Sequence, residues 1–377
     1  MGARVAVAAI GLAGCAAPVQ NGSIIVLPGA TERLIAAMHY GFDGVGEAKP
    51  SASVTQITSR EQLAEGPSAT GKVGDWILEN GGVVVVIADV DGSARSGTLV
   101  DVARNPRRRD AVAAFETRVL GEPVRYTTIK SGTDEALGSA FVEVSGTAGA
   151  LVVSTRYDVA PDLDAVLVHT SFTRAAGASP DGALDVSDRL ASDGARAACE
   201  GSHCATFAAA QSYVMKPLMD DGAVATAGSD GSVVVGLAPS TVPEGAYVYS
   251  RLVAPLERPD SLALAAALSA ADGRQLGEVQ IELSPERWSK DRAVAPGTFV
   301  FTPSKAGAPV ELSLGGALHA GDLVTVKIPA GGWSVAFAND GYWTTEKAHV
   351  DVRPGKMASV FVPAERRPTP ASAPLLP

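Results

Sequence analysis

Between residues 71 and 257 the chain is a succession of short apolar runs cut by turn signals. Val83 to Ile87 is an unbroken β-branched run bounded by Gly81-Gly82 and Asp91-Gly92, the pattern of a strand buried on both faces or of a sandwich-core strand. Ala140 to Val144, Leu151 to Tyr157, Ala165 to Phe172 and Val233 to Leu237 are further strand candidates. Ser131-Gly132, Ser145-Gly146, Asp181-Gly182 and Ser229-Asp230-Gly231 supply the turns. Strands this short, without long amphipathic helices between them, predict antiparallel sheets packed face to face rather than βαβ units. A helix interrupts them in this reading. Asp110 caps a segment carrying Val112, Phe115 and Val119 at helical spacing, and Gly121 with Pro123 closes it. Upstream, Ser59-Arg60-Glu61-Gln62 has the form of a capping box, with Gly66-Pro67 as the stop, and predicts a short helix.

After a proline-containing and then alanine-rich stretch from Pro255 to Ala271, strict alternation takes over. Val279, Ile281 and Leu283 alternate with Gln280 and Glu282; Val324, Val326 and Ile328, then Val350 and Val352, then Val360 and Val362 repeat the pattern. Each such strand has one apolar and one wet face, so a second, smaller sandwich is expected. The plan is all-β: a signal peptide over 1–14, a tether with a short helix and edge structure over 15–70, and a large antiparallel β-sandwich over 71–257. A small β-sandwich over 262–363 and a free tail over 364–377 complete it; the tail cannot bury enough to order itself.

Composition sharpens this picture in three places. Forty glycines and 24 prolines without a collagen period fit a turn-rich chain. At 377 residues and 46% hydrophobic content the core needs neither a metal nor a disulfide mesh, and no cofactor is implied. A formal charge of -10 excludes a nucleic-acid partner, because phosphate binding requires clustered Lys and Arg.

The first residues carry one charge, Arg4, ahead of ten small or apolar residues from Val5 to Gly14. The run is too short to span a bilayer and has a polar exit through Gln20 and Asn21. Leu12-Ala13-Gly14-Cys15 resembles the lipobox of bacterial lipoproteins. That resemblance implies cleavage before Cys15, lipidation of its sulfur, and anchoring at the bacterial cell envelope, on the outer membrane or the periplasmic face; two or more acyl chains would hold the protein there. The two remaining cysteines, Cys199 and Cys204, are an even pair in an oxidising compartment and are expected to form a disulfide. His203 lies between them, but a structural zinc wants a second ligand pair that the chain does not have.

Two further resemblances concern the sandwiches. Gly71-Lys72-Val73-Gly74-Asp75-Trp76-Ile77-Leu78-Glu79-Asn80, preceded by Gln62-Leu63 and Gly66-Pro67, resembles the opening of large supersandwich modules of the galactose-mutarotase type in exported bacterial proteins. Gly273-Arg274-Gln275-Leu276 running into Val279-Gln280-Ile281-Glu282-Leu283, then Pro329-Ala330-Gly331-Gly332-Trp333-Ser334-Val335, then Pro354-Gly355 before Val360, is similar to the carboxypeptidase-regulatory or transthyretin-like sandwich. The insert from Pro285 to His319 is longer and more polar than that family's middle.

Candidate chemistry is sparse. The mutarotase resemblance implies a histidine acid and a carboxylate base, for which His169 with Asp158 or Asp164 are the candidates. Asp89-Val90-Asp91-Gly92 starts like a calcium loop and then fails, with Arg95 where an oxygen is wanted, so a hairpin turn is expected. Gly22-Ser23 and Gly138-Ser139 lack the second glycine of a nucleophile elbow. Arg107-Arg108-Arg109 reads as a solvated loop able to meet lipid head groups or an anionic glycan. Tyr342 and Trp343, after Asn339-Asp340-Gly341, are the candidate ligand-binding residues at a loop tip. The expectation is a lipid-anchored envelope protein that binds a glycan or a protein partner, with no catalytic residue and no metal. The alternative is a mutarotase-like enzyme using His169.

Overall fold

This computed structural model describes residues 52–366 except 120, 136, 162, 175–182, 194–195, 201, 209–210, 219–222, 242–246, 257, 259, 272–273, 286–296, 306, 315–321, 339–341 and 344–346. Cys15 and the residues 1–14 read above as a signal peptide lie outside the described residues. The fold is all-β, as the alternation predicts.

Strands β1 (Ser53–Gln56), β2 (Trp76–Glu79), β3 (Val83–Ile87) and β4 (Leu99–Arg104) form a four-stranded antiparallel sheet in that order. The capping box before β2 is present, though on a single 3-10 turn, Arg60–Gln62. The Gln62 side chain accepts hydrogen bonds from the Ser59 and Thr58 backbone N–H groups at 3.0 and 2.8 Å. All five residues of β3 are buried. Val83, Val85 and Ile87 point into the main core, while Val84 and Val86 join a small second cluster with Ile57, Ile77 and Val100.

Continuing along the chain come β5 (Val112–Val119), β6 (Glu122–Pro123), β7 (Arg125–Asp134), β8 (Ser139–Ala148), β9 (Leu151–Val159), β10 (Val166–Arg174) and β11 (Ala183–Ser192). Then follow β12 (Arg196–Glu200), β13 (His203–Phe207), β14 (Ser212–Pro217), β15 (Ala223–Ala227), β16 (Val233–Thr241) and β17 (Tyr247–Leu256). They build an eight-stranded sheet, β12-β13-β14-β17-β10-β9-β8-β7, and a five-stranded sheet, β15-β16-β11-β5-β6. The inward side chains of both, with those of the four-stranded sheet, share one apolar cluster including Phe115, Tyr157, Phe172, Tyr213 and Tyr249. Cys199 and Cys204 face each other across the β12–β13 hairpin and form a disulfide.

The segment read as a helix beginning at Asp110 is instead strand β5. Its pairing with β11 shifts register between Ala191 and Ser192, which places Val112 and then Phe115, Thr117 and Val119 inward. That bulge mimics a helical spacing.

The single α-helix of the described residues, α1 (Ser261–Ala271), is capped by Asp260, whose Oδ1 accepts the Ala263 N–H at 2.8 Å. Leu262 enters the core of the second sandwich, and Ala263 packs on Leu167, Val214 and Leu252 of the eight-stranded sheet. Beyond it lie β18 (Leu276–Pro285), β19 (Thr298–Pro303), β20 (Val310–Ser313), β21 (Leu323–Pro329), β22 (Gly331–Ala338), β23 (Tyr342–Trp343), β24 (Ala348–Val352) and β25 (Met357–Arg366). Two four-stranded sheets result, β21-β18-β25-β23 and β20-β19-β22-β24, with β18 and β25 parallel. Phe299 and Phe337 meet in the core at 5.3 Å between ring centroids, and Trp333 is buried beside them with its indole N–H on the Pro329 carbonyl at 2.9 Å.

Candidate functional site

Alternation along β8, β9, β10 and β17 sends the apolar side chains inward and a set of polar ones to the opposite face of the eight-stranded sheet. Hydrogen-bonded register arranges the latter in rows. Ser250, His169, Arg156, Glu143 and Lys130 make one, each on the next strand. Ser171, Ser154, Ser145 and Thr128 make the adjacent one. Helix α1 and the cluster around Leu167 and Leu252 cover one end of this face, and the rows pass from buried Ser250 and His169 through half-buried Arg156, Glu143 and the serines to exposed Lys130 and Thr128.

The rows are internally bonded. Glu143 accepts from Lys130 Nζ and from Ser154 Oγ, both at 3.1 Å, and Ser145 Oγ donates to Ser154 Oγ at 3.2 Å. Arg156 Nε reaches both carboxylate oxygens of buried Asp158 at 2.9 Å, and its guanidinium lies 3.8 Å over the Phe141 ring. His169 is 5% exposed; its Nδ1 shares a hydrogen bond with Ser250 Oγ at 2.7 Å, and its buried Nε2 has no partner among the described residues. Burial first, and then the nearby Arg251 and Arg156 charges, push the His169 pKa down to about 3. The ring is therefore neutral at physiological pH.

This geometry bears directly on the acid–base pair expected of a mutarotase-like site. His169 meets a serine hydroxyl rather than a carboxylate, and a histidine that loses its proton far below neutrality is not a general acid at pH 7. Asp158 is engaged by Arg156, and Asp164 pairs with Arg104 at 3.1 Å. What the face offers is a field of fixed donors and acceptors.

The other sequence candidates are placed as follows. Asp91 takes Lys72 Nζ at 2.8 Å, the Ser93 N–H at 2.9 Å and Ser96 Oγ at 2.9 Å; these hold its carboxyl far below the usual range, and a lysine stands on it where a calcium loop would place its ion. Among the described residues no group of three or more His, Cys, Asp or Glu is arranged to hold a metal. Arg108 is not free in solvent: it bonds Glu79 at 2.6 Å and the Gln62 carbonyl at 3.1 Å, while Arg107 and Arg109 are exposed. The backbone of Tyr342 and Trp343 pairs with Arg366 and Glu365 in β25, an edge-strand position; their side chains lie outside what is described. No helix among the described residues is long and apolar enough to cross a membrane.

Sequence reasoning found His169 but missed Arg156, Glu143, Lys130 and the serine column. Their signal lies in the phase opposite to Val153, Thr155 and Tyr157, within a run that the sequence showed only as a strand candidate.

No family model matches this chain, and no curated protein matches it. Solved structures similar to it include a TPR-domain containing protein from Parabacteroides distasonis, with 8% identity over 56% of each chain and a TM-score of 0.35. A heparinase III is 9% identical over 71% of this chain and 38% of its own, with a TM-score of 0.32. The full-length major pilin RrgB of Streptococcus pneumoniae is 8% identical over 90% of this chain and 65% of its own, with a TM-score of 0.18. The chain thus spans about half the length of the first and well under half of the second. At these scores none carries an argument about function.

Proposed function

We propose that the chain is a lipid-anchored protein of the bacterial cell envelope, on the outer membrane or the periplasmic face. In this reading its eight-stranded sheet binds a glycan on the outer face. Export is supported by the leader ending at Cys15 and by the Cys199–Cys204 disulfide, which belongs to an oxidising compartment. The observation that carries the binding role is the pair of polar rows that run from buried Ser250 and His169 to exposed Lys130 and Thr128. Ser, Arg, Glu and Lys side chains recur there from strand to strand at the inter-strand spacing of about 4.8 Å, alternating donors with acceptors. A polyhydroxylated ligand satisfies such a field where an apolar one would strip it of water without return.

Binding of the mature chain to a panel of immobilised polysaccharides tests this. Lys130 is exposed and Glu143 partly buried, and Glu143→Ala and Lys130→Ala are each expected to weaken the retained glycan about tenfold, the loss of one charged hydrogen bond, with unfolding unchanged. Retention of no polysaccharide, or retention indifferent to both variants, removes the proposal. Anchoring is checked separately: Cys15→Ala should shift the protein from the membrane fraction to the soluble one.

A further inference from the structure

Helix α1 has no charged residue and no polar stripe: it is built of Ala, Leu and two serines. A helix on the surface of one domain keeps a wet side, whereas one that is apolar all round is covered all round. None of the residues from Leu262 to Ser269 is exposed. Two different bodies do the covering. Leu262 is fully buried in the apolar cluster of the small sandwich, with Leu312 and Ile328. Ala263, together with half-buried Leu264, Ala267 and Leu268, packs on the cluster of the eight-stranded sheet that holds Leu167, Val214 and Leu252. At about 100° per residue, Leu264 and Leu268 stand about 200° and 240° round the helix from Leu262, on its far side. Among the described residues α1 is the one element that contributes to the apolar clusters of both sandwiches. A polar bond reinforces the small-sandwich side, where Ser261 Oγ accepts the Glu311 N–H of β20 at 2.7 Å.

Eleven residues are too few for a helix to hold in water by itself, even with the high propensity of Ala and Leu. The helix therefore depends on the sandwiches that cover it. Lifting the small sandwich away uncovers Leu262, and lifting the large one away uncovers Leu264 and Leu268. Interfaces between domains of one chain are ordinarily polar enough to permit relative motion. A shared apolar wall removes that freedom. We propose that α1 is a coupler: it makes the two sandwiches one cooperative unit, so that the small one does not swing on a linker and loss of either core opens both.

The test is native-state hydrogen exchange of the mature chain, read by mass spectrometry on the slowest amides of β10 and β17 in the large sandwich and of β18 and β22 in the small one. Ile281 is fully buried in the small core, and Ile281→Val is a mild truncation expected to speed exchange there about two- to tenfold. With the two cores coupled, the same factor appears at β10 and β17. A factor confined to β18 and β22 overturns the proposal, as do two separate transitions in the unfolding of the wild type. Leu264→Ser combined with Leu268→Ser removes the apolar grip on the large sandwich, and in that background Ile281→Val should act on the small sandwich alone. If the large sandwich still follows, α1 is not the coupler. Should the double variant not fold, the Ile281→Val comparison in the wild-type background decides by itself. Exchange is read on the free protein, so the outcome does not depend on what the eight-stranded sheet binds.

Discussion

Replacing Arg251 with methionine lowers the stability of the large sandwich by about 3 to 5 kcal/mol, the cost of leaving a buried charge without its partner. Arg251 and Asp188 are both fully buried between the eight- and five-stranded sheets. Arg251 Nη2 donates to Asp188 Oδ1 at 2.8 Å and to Thr117 Oγ1 at 3.0 Å; Nη1 reaches Thr170 and the Val168 carbonyl. Nε faces Asp188 Oδ2 at 2.7 Å but off the hydrogen-bond line, so that arm is a charge contact. The guanidinium also lies 4.8 Å from the Tyr249 ring centroid. Burial pushes the Asp188 carboxyl up despite the opposing pull of Arg251. A carboxyl whose folded pKa is raised favours the folded state below its unfolded value and loses that advantage as pH rises. Removing Arg251 raises it further, so the variant should be markedly more stable at pH 5 than at pH 8 in urea unfolding. Arg251→Met combined with Asp188→Leu should regain most of the loss, because an apolar pair of similar volume often replaces a buried ion pair at little cost. A single variant as stable as the wild type at pH 8 would show that the pair carries no such role.

That same network explains what the sequence could and could not convey. Residues with one job were legible: the five apolar residues of β3, the alternation of β18 and β25, the capping box at Ser59. Thr117 has two jobs. It is a polar residue pointing inward because Arg251 and Asp188 are there, and those partners come from strands 134 and 71 residues away. With Thr117 counted as outward and a bulge inserted after Val112, the run to Val119 matches a helical stripe as well as a strand. The candidate site was obscured for a related reason. Ser145, Ser154 and Ser171 are unremarkable one at a time, and only the pairing of β8, β9 and β10 puts them in a row. His169 stood out by residue type, yet its neutral state follows first from its burial and then from Arg251 and Arg156, all of them properties of the assembled sheets.

The Asp110 side chain, read from the sequence as a helix cap, carries the second large effect. Its Oδ1 accepts the Val102 N–H and the Tyr213 hydroxyl, both at 2.9 Å, and its Oδ2 accepts the Val112 N–H at 3.0 Å. Those three donors belong to the four-, eight- and five-stranded sheets, so one carboxyl ties all three together. Glu65 is drawn against the same point, with the Asp110 N–H on its carbonyl at 2.6 Å. Gly66, at φ +140°, allows that approach, since a Cβ there would stand 2.1 Å from the Asp110 carbonyl oxygen. Asp110→Ala strands two buried N–H groups and should cost about 2 to 5 kcal/mol. The pH dependence has a definite sign. Burial, the largest cause, pushes the carboxyl from 3.8 up to about 7. The folded state therefore holds its proton over a window where the unfolded chain has lost it. This contribution is complete near pH 4, declines as pH rises to about 7, and is flat beyond. Asp110→Asn keeps an acceptor for Val102 but turns an N–H₂ toward the Val112 N–H, so it is weaker than the wild type throughout and lacks this slope. Subtracting the two urea-unfolding curves between pH 4.5 and 8.5 cancels the other titrating groups. The difference should narrow as pH rises, and curves that stay parallel would remove Asp110 as their cause.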